Sequence, residues 1–149
     1  MRNIRPRSSA IIIKNDKILL MHRRKQGREY WVFPGGGIKK GETAEEAVVR
    51  EVQEETGLTV NCKKLTCGRN KKGKNIKHSF FLCNVLGNDK PILGGPEKER
   101  SSSQNWYKPE WVEIEAISNL VLYPEEVKKF ALANRSFWLR QEFLEEKSR

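Results

Sequence analysis

The chain has 149 residues, 37% hydrophobic and 32% charged, a balance that predicts one folded domain over residues 1–149 and excludes a disordered chain. Lys and Arg outnumber Asp and Glu 29 to 19, and the resulting charge of +10 favours anionic partners such as polyphosphates or nucleic acid. No apolar run approaches the roughly 18 residues of a membrane span, and the run at residues 10–13 is too short for a signal peptide, so no membrane partner and a cytoplasmic location are expected.

Residues 9–13 are apolar and β-branched, Lys14-Asn15-Asp16-Lys17 reads as a tight turn, and residues 18–22 return as the second strand of a hairpin. His22-Arg23-Arg24-Lys25 ends that strand, and Arg23 and Arg24 are the cations best placed in sequence to meet anionic substrate groups. After a turn at Gln26-Gly27-Arg28, a short strand at residues 30–33 enters Pro34-Gly35-Gly36-Gly37, read as a flexible turn. These glycines allow a backbone approach that side chains would obstruct.

Thr43 with Glu46 three residues later is a capping-box start, and Gly57 suits a left-handed helix end, so residues 43–56 are predicted as a helix. Residues 58–65 should be extended. Strands at 64–68 and 77–85 flank a basic turn at residues 69–77, and Phe80, Phe81, Leu82 and Val85 suit a strand buried on both sides. Residues 87–105, rich in Gly, Pro and Ser, form a long loop of the kind that often carries function. Trp111-Val112-Glu113-Ile114 is the last clear strand. Pro124 opens a helix with Val127, Phe130 and Ala131 as its apolar stripe, and residues 136–146 suit a further short helix. Cys62, Cys67 and Cys83 lack metal-type spacing and are expected as reduced thiols without a catalytic role. The order of elements predicts an α+β (mixed α/β) domain with helices on the faces of a mixed sheet.

The central helix carries the chemistry. Ala44, Ala47 and Val48 form an inward stripe, and the next positions in that register are Glu51, Glu54 and Glu55. Like charges at these spacings repel, and acids near a helix C-terminus oppose the macrodipole. A cation among the carboxylates would offset both penalties, and all-oxygen ligands suit a hard ion, Mg2+ or Mn2+. Such an ion commonly completes its shell with waters and substrate phosphates.

Residues 36–58 read Gly36-x5-Glu42-x7-Arg50-Glu51-Val52-x-Glu54-Glu55-x-Gly57-Leu58. This stretch resembles the signature box of the Nudix hydrolases, with every fixed position filled. Weaker likeness extends into the strand before it and the Trp111 strand after it. The resemblance implies an α-β-α sandwich and metal-dependent hydrolysis of a diphosphate bond in a nucleoside di- or triphosphate derivative. Carried over by position, it implies Glu51, Glu54, Glu55 and the Gly35 carbonyl as metal ligands, with Glu54 or Glu51 as the base. Glu42 and Arg50 match its supporting ion pair, and Gly36 and Gly37 would lie against substrate.

The chain departs from relatives in two places. Where some carry a further catalytic carboxylate before the Trp111 strand, Gln104 and Asn105 stand, leaving Glu97, Glu99 and Glu110 as substitutes. Tyr123-Pro124-Glu125-Glu126-Val127 replaces the Phe-Pro-x-Ala-Asn segment of enzymes acting on oxidised guanine nucleotides, so that substrate is not favoured. Tyr30, Trp31, Trp106 and Tyr107 could stack a base. The competing readings are a non-catalytic nucleotide- or RNA-binding protein and a capped-RNA pyrophosphohydrolase using residues 69–77 as an RNA track. Oligomeric state is left open, a homodimer included.

Overall fold

The computed structural model describes residues 5–70, 77–92 and 105–133. The first hairpin joins β1 (Arg7–Lys14) to β2 (Lys17–Lys25). Asn15 and Asp16 both adopt positive φ (52° and 62°), as a two-residue turn matched to strand twist requires. A second turn at Gln26 and Gly27, also at positive φ, leads into β3 (Arg28–Val32). The glycine-rich segment is a correction to the sequence reading. Gly35–Gly37 is a short strand, β4, paired antiparallel with β1. Flanking bonds from Ala10 N to Pro34 O (2.8 Å) and from Ile38 N to Pro6 O (2.9 Å) hold it there. A Cβ at Gly35 would run into the Ser8 carbonyl and the Ser9 Cα, which is why this pairing needs glycine.

Helix α1 (Ala44–Thr56) begins at Thr43 with a complete capping box. It ends at Gly57, in the left-handed region at φ 74°, whose N–H donates to Gln53 O at 2.9 Å. β5 (Thr59–Asn70) and β6 (Lys77–Leu86) then pair antiparallel. β7 (Asn105–Glu113) pairs with β2 along its whole length, so this strand starts six residues before Trp111, where the sequence reading began it. A 3-10 helix (Ile114–Asn119), β8 (Leu122–Tyr123) and α2 (Glu125–Ala133) complete the described elements.

Strand order is β5-β6-β1-β2-β3-β8, with β4 against β1 and β7 against β2. The β1–β6 and β3–β8 pairs are parallel and the rest antiparallel, giving a mixed sheet. The alternation of β1 builds two cores. Ala10 and Ile12 face Val48 and Val52 of α1, with Phe81 and Val85 beside them. Ile11 and Ile13 face Phe80, Phe33, Ile117 and Ala131 on the other side. The architecture is therefore the expected α+β arrangement, with helical elements on both faces of the sheet, and β6 is buried on both sides as its sequence implied. Among the described residues, no helix is long and apolar enough to cross a membrane.

Two further corrections follow from packing. Phe130 is 43% exposed, and α2 instead buries Ala131, with Val127 and Leu132 packed against the second core. Cys62 and Cys83 are not separate thiols. They oppose one another across β5 and β6, 4.1 Å apart at Cα, and are joined in a disulfide. Strand register, which spacing of 21 residues does not reveal, brings them together. Residues 71–76 of the expected basic turn at 69–77, residues 93–104 of the expected loop at 87–105 and the helix expected at 136–146 lie outside the described residues.

Candidate active site

The acidic end of α1 lies against β4. Glu55 is 6% exposed, and its Oε1 accepts from the Gly35 N–H at 2.9 Å. Glu51 reaches the neighbouring glycine so closely that a Cβ at Gly36 would come within 2.5 Å of the Glu51 carboxyl carbon. Glu54 is the most open of the three, with 39% of its side chain exposed against 15% for Glu51. The stripe that begins with Ala44, Ala47 and Val48 thus turns acidic where the helix meets glycine backbone, as the register predicts.

Arg50 organises this end. Its Nε and Nη2 donate to the two oxygens of Glu42 (2.7 and 2.9 Å), and Nη2 also donates to the Gly37 carbonyl (3.1 Å). Its Nη1 donates to Glu51 (2.8 Å) and Glu54 (3.3 Å). One guanidinium therefore ties the loop at Glu42, strand β4 and two helix carboxylates together, and offsets their mutual repulsion. The Arg50 bond, followed by the Lys39 N–H, lowers the Glu42 carboxyl from 4.5 to about 2. Glu42 and then Glu51 raise the Arg50 guanidinium above its ordinary value.

The carboxylates are adjacent without converging on one point. Among the described residues, no three His, Cys, Asp or Glu side chains are gathered closely enough to hold a metal. Glu51 and Glu54 turn toward Arg50, and Glu55 toward the Gly35 amide. The donor set still suits a hard divalent ion: carboxylate oxygens beside glycine backbone, where a Cβ at Gly36 would displace the Glu51 carboxylate.

Beside Glu55 and Gly35 opens a cleft of about 600 Å3. Phe33, Tyr107 and Tyr123 give it an aromatic side, and Arg7, Ser9 and His78 a polar one. Arg23 lines it too. Its guanidinium lies over the Tyr107 ring at 4.3 Å and the Tyr30 ring at 5.4 Å, Nη2 donates to the Tyr107 hydroxyl at 2.6 Å, and Nε is buried without a partner among the described residues. Arg24, one residue on, does not line the cleft. The period of two along β2 turns it to the opposite face, near Glu29 (3.8 Å) and the Trp106 ring (5.7 Å). Gly36 and Gly37 are not lining residues; they serve as the surface on which Glu51 and Arg50 rest.

The other candidates separate in the same way. Tyr107 reaches the cleft, whereas Trp31 stacks on His22 at 4.0 Å and Trp106 meets its edge at 4.9 Å. Glu110 bonds His22 Nδ1 (3.1 Å) and pairs with Lys108 (3.1 Å), and does not line the cleft. Glu97, Glu99 and Gln104 lie outside the described residues, and Asn105 begins β7 opposite Lys25. Sequence reasoning missed Arg7, Ser9, His78, Tyr123, Glu125 and Glu126 as cleft residues. One signal was present: Arg7 and Ser9 share the period-two face of Ile11, so the apolar face of β1 ends in polar groups.

A capped helix packed on a glycine strand, bearing carboxylates beside an aromatic-walled cleft, defines an α+β protein with its candidate site at the acidic helix end. The NUDIX domain model matches residues 4–131, and the chain belongs to the Nudix hydrolase family. It is 31% identical over 148 residues to an RNA pyrophosphohydrolase of Teredinibacter turnerae, covering 86% of this chain and 82% of that protein. It is 41% identical over 85 residues to an ADP-ribose pyrophosphatase of Methanocaldococcus jannaschii, covering 53% and 50%. A nudix hydrolase of Caenorhabditis elegans is 34% identical over 110 residues, 70% of this chain but 29% of that longer protein. A MutT structure from work on Aliivibrio salmonicida and Vibrio cholerae superposes with a TM-score of 0.64 at 24% identity, covering 87% of this chain and 98% of that one. That likeness shows the fold.

Proposed function

We propose that the chain is a divalent-metal-dependent pyrophosphohydrolase cleaving a phosphoanhydride bond of a nucleoside di- or triphosphate derivative, with Mg2+ or Mn2+ as the ion. The observation that carries this is the packing of Glu51 and Glu55 onto Gly36 and Gly35, a buried acidic surface beside a cleft of nucleotide size. Glu51, Glu54, Glu55 and the Gly35 carbonyl would hold the ion. When bound, it supplies Lewis-acid polarisation of phosphoryl oxygens and a more acidic water. Glu54, the most open of the three carboxylates, or its neighbour Glu51 would accept a proton from an attacking water, a reading supported by the greater exposure of Glu54. Arg50 and Glu42 keep loop and helix in register. Tyr107, Tyr123 and Phe33 offer faces for a base, and Arg23 offers a donor to it or to a phosphate.

The Teredinibacter relative adds a second substrate to this reading. It is named an RNA pyrophosphohydrolase and matches over most of both chains, and the net charge of +10 suits a polyanion. The deciding assay offers canonical, oxidised and sugar-linked nucleotides and 5′-triphosphorylated or capped RNA, with Mg2+, Mn2+ or chelator, and identifies products. Metal-dependent release of phosphate, pyrophosphate or a nucleoside monophosphate is expected. Binding of these ligands without turnover would point instead to a non-catalytic nucleotide- or RNA-binding protein.

A further inference from the structure

The face of β1 that carries Ile11 and Ile13 into the second core continues outward as Ser9 and Arg7. The matching face of β6 does the same, passing from Leu82 and Phe80 to His78. The two strands are parallel neighbours with Arg7 opposite His78 and Ser9 opposite Phe80. Two apolar stripes thus become polar side by side, at the cleft and next to β4.

The polar end is built. Ser9 is 3% exposed, and its Oγ lies 2.6 Å from His78 Nε2. The His78 ring stacks on Phe80 at 4.3 Å with 24° between planes, which fixes its direction. Ser9 also abuts Gly35: a Cβ there would come within 2.6 Å of the hydroxyl. Glu55 meets that same residue at its amide. Ser9 and Glu55 therefore approach Gly35 by different atoms, and both open into the cleft with Arg7 and His78.

A hydroxyl–imidazole pair with its hydroxyl buried is costly to keep at positions that would otherwise extend an apolar core. Its chemistry suits oxygen-rich anions: with one proton held between hydroxyl and imidazole, the pair still presents a further donor, and a guanidinium adds charge and paired N–H groups. A phosphate chain lying beside Glu55 needs donors for the oxygens that face away from the carboxylates. We infer that Arg7, Ser9 and His78 form a phosphoryl seat, holding oxygens of the substrate's phosphate chain on the β1–β6 side of the acidic helix end. The seat rests on the pyrophosphohydrolase reading for its role in turnover, but its affinity for phosphoanhydrides is measurable without turnover.

The test uses the whole chain and two readouts. In steady-state hydrolysis of the best nucleotide, Ser9→Ala and His78→Asn should each raise KM by roughly ten- to a hundredfold, the effect of losing a hydrogen bond to a charged group, with kcat held within about threefold. Arg7→Ala should do likewise, and Arg7→Lys should restore part of the loss. In calorimetry with inorganic pyrophosphate and Mg2+, the three variants should weaken binding by the same factors. His78→Gln, whose amide reaches about as far as Nε2 where the shorter Asn amide does not, should fall between wild type and His78→Asn and serves if Ser9→Ala does not fold. Unchanged pyrophosphate affinity and unchanged KM in folded variants would overturn the seat, as would loss of kcat at constant KM. Should wild type hydrolyse nothing, the functional reading fails, and pyrophosphate affinity alone decides whether the seat exists.

Discussion

Arg50 holds together groups that would otherwise push apart. It bonds Glu42, Glu51, Glu54 and the Gly37 carbonyl from a single guanidinium. A lysine cannot reproduce that fork, so Arg50→Lys should destabilise the fold by about 1–3 kcal/mol in denaturant unfolding, through acceptors left without donors. Glu42 gives a separate test in pH. Its carboxyl is lowered in the fold to about 2 from 4.5. As pH falls below about 4.5 the unfolded chain takes up the proton before the folded one, so the stability that Glu42 contributes is full above that value. It is lost progressively as pH approaches about 2. Glu42→Gln should therefore flatten the acid limb of a stability-against-pH curve across this window; an unaltered limb would show that the pair contributes nothing there.

At the scale of elements, α1 does most to position the site, and its limits were readable because caps are local. Thr43, Glu46 and Gly57 each act within a few residues of where they stand. Thr43→Ala should cost about 1 kcal/mol in thermal or denaturant unfolding, with the helix still formed. The acidic turn of the stripe was equally legible, since register within a helix follows from spacing. What was not legible depended on pairing between distant segments. Ser9 and His78 stand 69 residues apart, and no local signal joins them. The glycine run reads as a turn until β1 is seen beside it, and β8 is two residues long. Arg23 and Arg24 were inseparable as a basic pair, although strand alternation sends only Arg23 to the cleft.

For the whole molecule, the site depends on a sheet whose two faces are both occupied. Ile12 is fully buried between that sheet and α1, so Ile12→Ala should cost about 2–5 kcal/mol and should lower Tm without selectively altering KM. The cleft opens where β1, β6 and β4 meet the end of α1, and Tyr107, Tyr123 and the start of α2 also line it, so its polar and aromatic sides draw on segments distant in sequence. The proposed function requires that the acidic helix end perform hydrolysis. The most direct measurement is turnover of a nucleotide with saturating Mg2+, comparing wild type with Glu54→Gln and monitoring fold by circular dichroism. The expected result is chelator-sensitive hydrolysis in wild type and a fall of roughly a hundredfold or more in the variant, at unchanged secondary structure. Equal turnover in the two proteins, or turnover indifferent to chelator, would contradict it.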